Sequence, residues 1–107
     1  MHLQEEIYLA ELLAVYGEML TERQQEVMQM YFHQNQSLAE IADCFGIGRQ
    51  SVHDCLAAGK AQLLKLEGAL CVYSKLTKIR SLASSCLNQA EGEAHEALSR
   101  IIAITEE

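Results

Sequence analysis

Between residues 21 and 56 the chain carries two helix starts, a glycine turn and a third helix start. Thr21-Glu22-Arg23-Gln24 and Ser37-Leu38-Ala39-Glu40 each place a hydroxyl first and an amide or carboxylate three residues on. In this capping-box pattern, side chain and backbone satisfy one another's free donors. Phe45-Gly46-Ile47-Gly48-Arg49-Gln50 then reads as a helix stop, a short turn and a polar helix start. Gly46 stands where a left-handed C-cap is needed, and Ile47 behind it seals the turn. Gly48 takes the N-cap, where glycine costs roughly a few tenths of a kcal/mol relative to serine. This order is that of a helix-turn-helix, and it makes nucleic-acid binding the first function to test.

The rest of the chain is helical by the same logic. Proline is absent, half of the residues are apolar, and the apolar residues recur at spacings of three and four. A first helix is predicted from about Leu3 to Met19, with Tyr8, Leu9, Leu12, Leu13, Tyr16, Met19 and Leu20 on one stripe. A second runs from about Glu22 to Gln34 with Val27, Met28, Tyr31 and Phe32 inward. A third spans Leu38 to Phe45. In the fourth, Val52, Cys55, Leu56, Gly59 and Leu63 face the core, while Gln50, Ser51, His53, Asp54, Ala57 and Ala58 face outward.

Gly68 is expected to interrupt this helix, which sets a boundary between a helix-turn-helix domain, 1–67, and a C-terminal helical extension, 68–107. In the extension an alanine-rich stripe keeps roughly heptad spacing, with a bend expected between Asn88 and Gly92. Tyr73, Leu76, Ala83 and Leu87 of that stripe are the candidate dimer interface, since a two-fold pair is the commonest oligomer and a small core gains from it. Intrachain packing and docking of a helical partner are the other uses of the same stripe.

The formal charge of −7 argues against a strong generic nucleic-acid binder, because phosphate neutralisation supplies most non-specific affinity. The acid is uneven. Residues 1–20 carry Glu5, Glu6, Glu11 and Glu18 against no Lys or Arg, whereas residues 21–67 have four basic and six acidic side chains. Four cysteines, Cys44, Cys55, Cys71 and Cys86, form no Cys-x-x-Cys pair and read as reduced, buried thiols. Glu5 and Glu6 stand where a signal peptide would be basic, and no apolar run spans a bilayer. A soluble cytoplasmic protein with no membrane contact is expected.

The chemistry-bearing residues are few. Arg49 and Gln50 match the bidentate patterns of guanine and adenine in the major groove, with Ser51 and His53 beside them. The plainer alternative is a solvated helix start. Lys75 and Lys78, with Arg80, form the densest basic cluster and suit RNA phosphates, an acidic protein surface, or simply solvent. No histidine and cysteine share a metal-ligand spacing, and no nucleophile elbow or phosphate-cradling glycine loop is present. No metal, cofactor or enzymatic activity is expected.

Leu20-Thr21-Glu22-Arg23-Gln24-Gln25-Glu26-Val27, Ser37-Leu38-Ala39-Glu40-Ile41-Ala42 and Gly46-Ile47-Gly48-Arg49-Gln50-Ser51-Val52 together resemble the fourth conserved region of bacterial sigma factors. Closer still is the resemblance to the YlxM family of helix-turn-helix proteins, in which a segment like Leu13-Ala14-Val15-Tyr16-Gly17 precedes the Thr-Glu-Arg-Gln-Gln block. The resemblance implies a small all-α bacterial protein, often dimeric, with a sigma-region-4-like helix-turn-helix bundle. It also implies an accessory or regulatory role alongside the signal recognition particle, in contact with the particle's RNA or protein. The sequence departs from the sigma pattern where DNA chemistry would live. Arg49 is the one arginine at the recognition-helix start, and Asp54 puts a carboxylate on the face that would meet phosphates. A transcriptional regulator reading the DNA major groove with the helix from Arg49 is the alternative. A module whose Gln50 and His53 are buried under the C-terminal helix is a third.

Overall fold

The computed structural model describes residues 2–107, and every described element is helical. The chain divides into two compact units, one ending at Leu70 and one running Cys71–Glu107.

In the first unit, α1 (His2–Tyr16) and a short 3-10 turn (Gly17–Met19) precede α2 (Glu22–Phe32), α3 (Leu38–Phe45) and α4 (Arg49–Leu70). Both capping boxes form. Gln24 N–H donates to Thr21 Oγ1 at 3.2 Å and Thr21 N–H to the Gln24 side chain at 3.2 Å. Glu40 N–H donates to Ser37 Oγ at 3.1 Å, and Ser37 N–H returns a 2.8 Å bond to the Glu40 carboxylate. These bonds fix where α2 and α3 begin, and hence which faces turn inward.

The core is built from Leu9, Leu12, Leu13 and Tyr16 of α1, Val27 and Met28 of α2, Ile41 and Ala42 of α3, and Val52, Leu56 and Leu63 of α4. Each large aliphatic side chain contributes roughly 2 kcal/mol of hydrophobic stabilisation. The long helix α4 is the common partner of α1, α2 and α3. Gly59 lets α2 come close, since a Cβ there would lie 2.5 Å from Met28 Sδ.

Several expected boundaries shift for local reasons. Beyond Tyr16 the backbone tightens into a 3-10 turn, which changes the phase of the stripe and leaves Met19 exposed while Leu20 is buried. The second helix ends at Phe32 rather than Gln34, with His33 and Gln34 N–H both turned to the Gln29 carbonyl. Gly68 does not interrupt α4, which continues to Leu70. A lone glycine costs about 1 kcal/mol in a helix interior, too little to stop one held by its packed face. The chain turns instead at Cys71, a non-glycine residue with φ +54°. The thiols are also not the buried set expected: Cys44, Cys71 and Cys86 are exposed and Cys55 is half-buried. Cys44 lies off the face that Ile41, Ala42 and Phe45 turn inward.

In the second unit, α5 (Val72–Leu87) and α6 (Gly92–Thr105) pack as a hairpin. The connection falls at the expected bend, with Gly92 at φ +59° opening α6. Ala83 is buried, and Tyr73, Leu76 and Leu87 are half-buried.

Candidate nucleic-acid interface

The turn between α3 and α4 is set by Gly46, at φ +65° and ψ +36°. In that left-handed conformation Gly46 N–H reaches Asp43 O at 3.4 Å and Ile47 N–H reaches Ala42 O at 3.1 Å. The last free carbonyls of α3 are thereby satisfied before the chain reverses. Gly48 then offers its carbonyl to Val52 N–H at 3.2 Å, the first bond of α4. Because Val52, Leu56, Gly59 and Leu63 are buried, the opposite arc is fixed outward.

Arg49, Gln50, Ser51 and His53 are all exposed on that arc. The start of α3 comes alongside, so that Ser37, Leu38 and Ala39 line one open groove with Arg49, Gln50 and His53. Sequence spacing did not bring Ser37, Leu38 and Ala39 into the site; their position follows from the turn angle.

The face also has an internal latch. Gln50 Nε2 donates to Asp54 Oδ1 at 3.0 Å, and His53 Nδ1 lies 3.5 Å from the same carboxylate oxygen. Gln50 Nε2 is 3.5 Å from His53 Nδ1. Asp54 therefore does more than repel phosphate. It engages one of the two N–H donors of the Gln50 amide, the group whose pattern matches an adenine edge. The four-residue spacing of Gln50 and Asp54 was the signal in the sequence for this contact.

Elsewhere in the unit, Arg23 is not part of this face. Its guanidinium stacks 4.3 Å from the Phe45 ring centroid at the end of α3. Burial raises the Cys55 thiol pKa, with Arg23 opposing the shift. Lys75 and Lys78 are exposed on α5, in the other unit, and Arg80 is half-buried. Among the described residues no three His, Cys, Asp or Glu side chains are grouped to hold a metal ion. No described helix is long and apolar enough to cross a membrane.

Comparison with known proteins agrees with this architecture. Residues 3–101 match the model of a family described as "Putative helix-turn-helix protein, YlxM / p13 like". A UPF0122 protein of Symbiobacterium thermophilum is 45% identical over 62 residues, covering 58% of this chain and 58% of that protein. A UPF0122 protein of Desulforamulus reducens is 35% identical over 89 residues, covering 79% of this chain and 76% of the relative. A third, from Oceanobacillus iheyensis, is 32% identical over 87 residues, covering 80% and 83%. The match spans less than two thirds of the Symbiobacterium relative's length. With its two capping boxes, its Gly46 turn and a family match over nearly its whole length, this chain belongs to the YlxM/p13-like helix-turn-helix family.

Proposed function

We propose that this chain is an accessory or regulatory binding protein of the bacterial signal recognition particle pathway, acting in the cytoplasm. In this account it contacts the particle's RNA through Arg49, Gln50, Ser51 and His53. The observation that carries the reading is the exposed first part of α4, which combines one arginine, three neutral polar residues and one carboxylate, Asp54. Duplex DNA presents about one negative charge per 1.7 Å, and tight binding requires several cations. A face of this composition is better suited to unpaired RNA bases, which are recognised by hydrogen bonding and stacking on their edges and faces. Lys75 and Lys78, in the other unit, are a separate candidate for phosphate contact. The test is a fluorescence-anisotropy titration with signal recognition particle RNA and with a mixed-sequence DNA duplex at two salt concentrations. Preferred RNA binding with a shallow salt slope supports the proposal. Tighter DNA binding with a steep slope supports the rival, a transcriptional regulator with α4 in the major groove.

We further propose that the hairpin is a dimerisation element and that the protein is a homodimer. Ile79 and Leu82 of α5 and Ile101 and Ile104 of α6 remain exposed, Leu82 by 70% and Ile104 by 61%. Each pair lies about a quarter turn from the α5–α6 contact line, at roughly 100° per residue. In an antiparallel pair this places both on one side of the hairpin. A second copy covering that side would complete a four-helix arrangement, with the half-buried Tyr73, Leu76 and Leu87 at its margin.

A further inference from the structure

The outer face of α1 carries an unfinished coiled-coil seam. Leu3, Ile7, Ala10 and Ala14 follow one another at spacings of four, three and four, the spacing by which one helix receives another. They are distinct from the residues that α1 turns to the core, Leu9, Leu12, Leu13 and Tyr16. Leu3 is 67% exposed and Ile7 is 49% exposed, although both are large aliphatic residues at successive seam positions. Leu3, Ile7 and Ala10 line a groove whose other wall is Tyr31 and Phe32 at the end of α2. Those two rings stand edge to face with centroids 5.0 Å apart. Lys60 of α4 holds its ammonium 5.8 Å from the Tyr31 centroid and 6.0 Å from that of Phe32.

The charges that α1 itself sets beside the seam are acidic, and Lys60 of α4 is a cation on the opposite, aromatic wall. In heptad terms Leu3 and Ala10 are d positions and Ile7 and Ala14 are a positions, so Glu6 is a g position and Glu11 an e position. Glu6 also accepts a 3.3 Å bond from the Tyr31 hydroxyl, which fixes its carboxylate at the groove's edge. No Lys or Arg occurs in residues 1–20. A second copy of α1 would set these glutamates against their own kind, which disfavours self-pairing.

We propose that the α1–α2 groove is a docking site for a basic amphipathic helix of another protein. Its apolar a and d residues would enter between Ile7 and Phe32, and its Lys or Arg residues at e and g would meet Glu6 and Glu11. This surface lies apart from the Arg49–His53 face and does not depend on the nucleic-acid reading.

The test uses the full chain and two fluorescein-labelled helical peptides with identical leucine a and d positions. One carries lysine at e and g, the other glutamate. The lysine peptide is expected to bind, the glutamate peptide to bind at least about tenfold more weakly, and salt to weaken the former. Ile7→Ser should weaken lysine-peptide binding by about tenfold through lost apolar contact, and Glu6→Lys with Glu11→Lys should reverse the preference. Unchanged circular dichroism and unchanged RNA affinity in Ile7→Ser would separate this surface from the other. Equal binding of the two peptides, indifference to Ile7→Ser in a folded variant, or loss of self-association in that variant would overturn the proposal.

Discussion

The Tyr16 hydroxyl donates a 2.5 Å hydrogen bond to Oε1 of Glu67, joining the end of α1 to the last turns of α4 across 51 residues of sequence. Both side chains are buried. The bond sits at the far end of the bundle from the α3–α4 turn and gives the Tyr16-Gly17 segment a structural task. Tyr16→Phe keeps the ring in place and removes the donor. It should destabilise the fold by about 1–2 kcal/mol, read as a lowered Tm in thermal unfolding with little change in helical content. An unchanged Tm would show that Glu67 is satisfied without the phenol.

Gly59 and Gly68 occupy the same helix and should respond in opposite directions. A side chain at Gly59 meets Met28, which is fully buried, so Gly59→Leu should cost about 1–3 kcal/mol or more through overpacking. At Gly68 nothing lies within 4 Å of a new Cβ, so Gly68→Ala should stabilise by about 1 kcal/mol through helix propensity alone. Urea unfolding of the two variants against wild type measures both.

These two glycines also show where sequence reasoning succeeds and where it stops. Capping at Thr21 and Ser37 and the left-handed turn at Gly46 depend on residues within four positions of one another, and all three form as the sequence predicts. The fate of Gly68 depends on how firmly the rest of α4 is held by α1, α2 and α3, which is a tertiary matter. Cys71 carries no local mark of a break, since a non-glycine residue at φ +54° is set by its surroundings. Of the site, the outward arc from Gln50 to Asp54 was legible from the 3.6-residue period. The groove shared with Ser37, Leu38 and Ala39 was not, because it requires the angle between two helices.

The α3 capping box gives the acid limb of stability a defined contributor. The Ser37 backbone N–H, and then its hydroxyl, hold the Glu40 carboxyl below its ordinary value of 4.5. A carboxyl depressed in the folded state stabilises the fold above its unfolded pKa, and that contribution is lost as pH falls through the lower folded value. Glu40→Gln retains an acceptor for Ser37 N–H and does not titrate. Wild type should therefore lose stability relative to Glu40→Gln on acidification below 4.5, and the two should run parallel at neutral pH. Chemical denaturation across that range is the check.

The proposed dimerisation through the hairpin would make Leu82 a sensitive position, because it is the most exposed large apolar residue of the described chain. Leu82→Asp should shift sedimentation equilibrium toward the monomer by about tenfold or more in dissociation constant, without loss of helical signal. A monomer at tens of micromolar wild type would contradict the proposal directly.

In the proposed function the α4 face beginning at Arg49 binds nucleic acid and Asp54 restrains it. The most direct measurement is the anisotropy titration with signal recognition particle RNA, extended to Arg49→Ala and Asp54→Asn. Arg49→Ala should weaken RNA binding by roughly tenfold and lower the salt slope by about one unit. Asp54→Asn should tighten binding severalfold by removing the carboxylate's charge from the face. RNA affinity unchanged in both variants, or no RNA binding by the wild type, would contradict the proposed function.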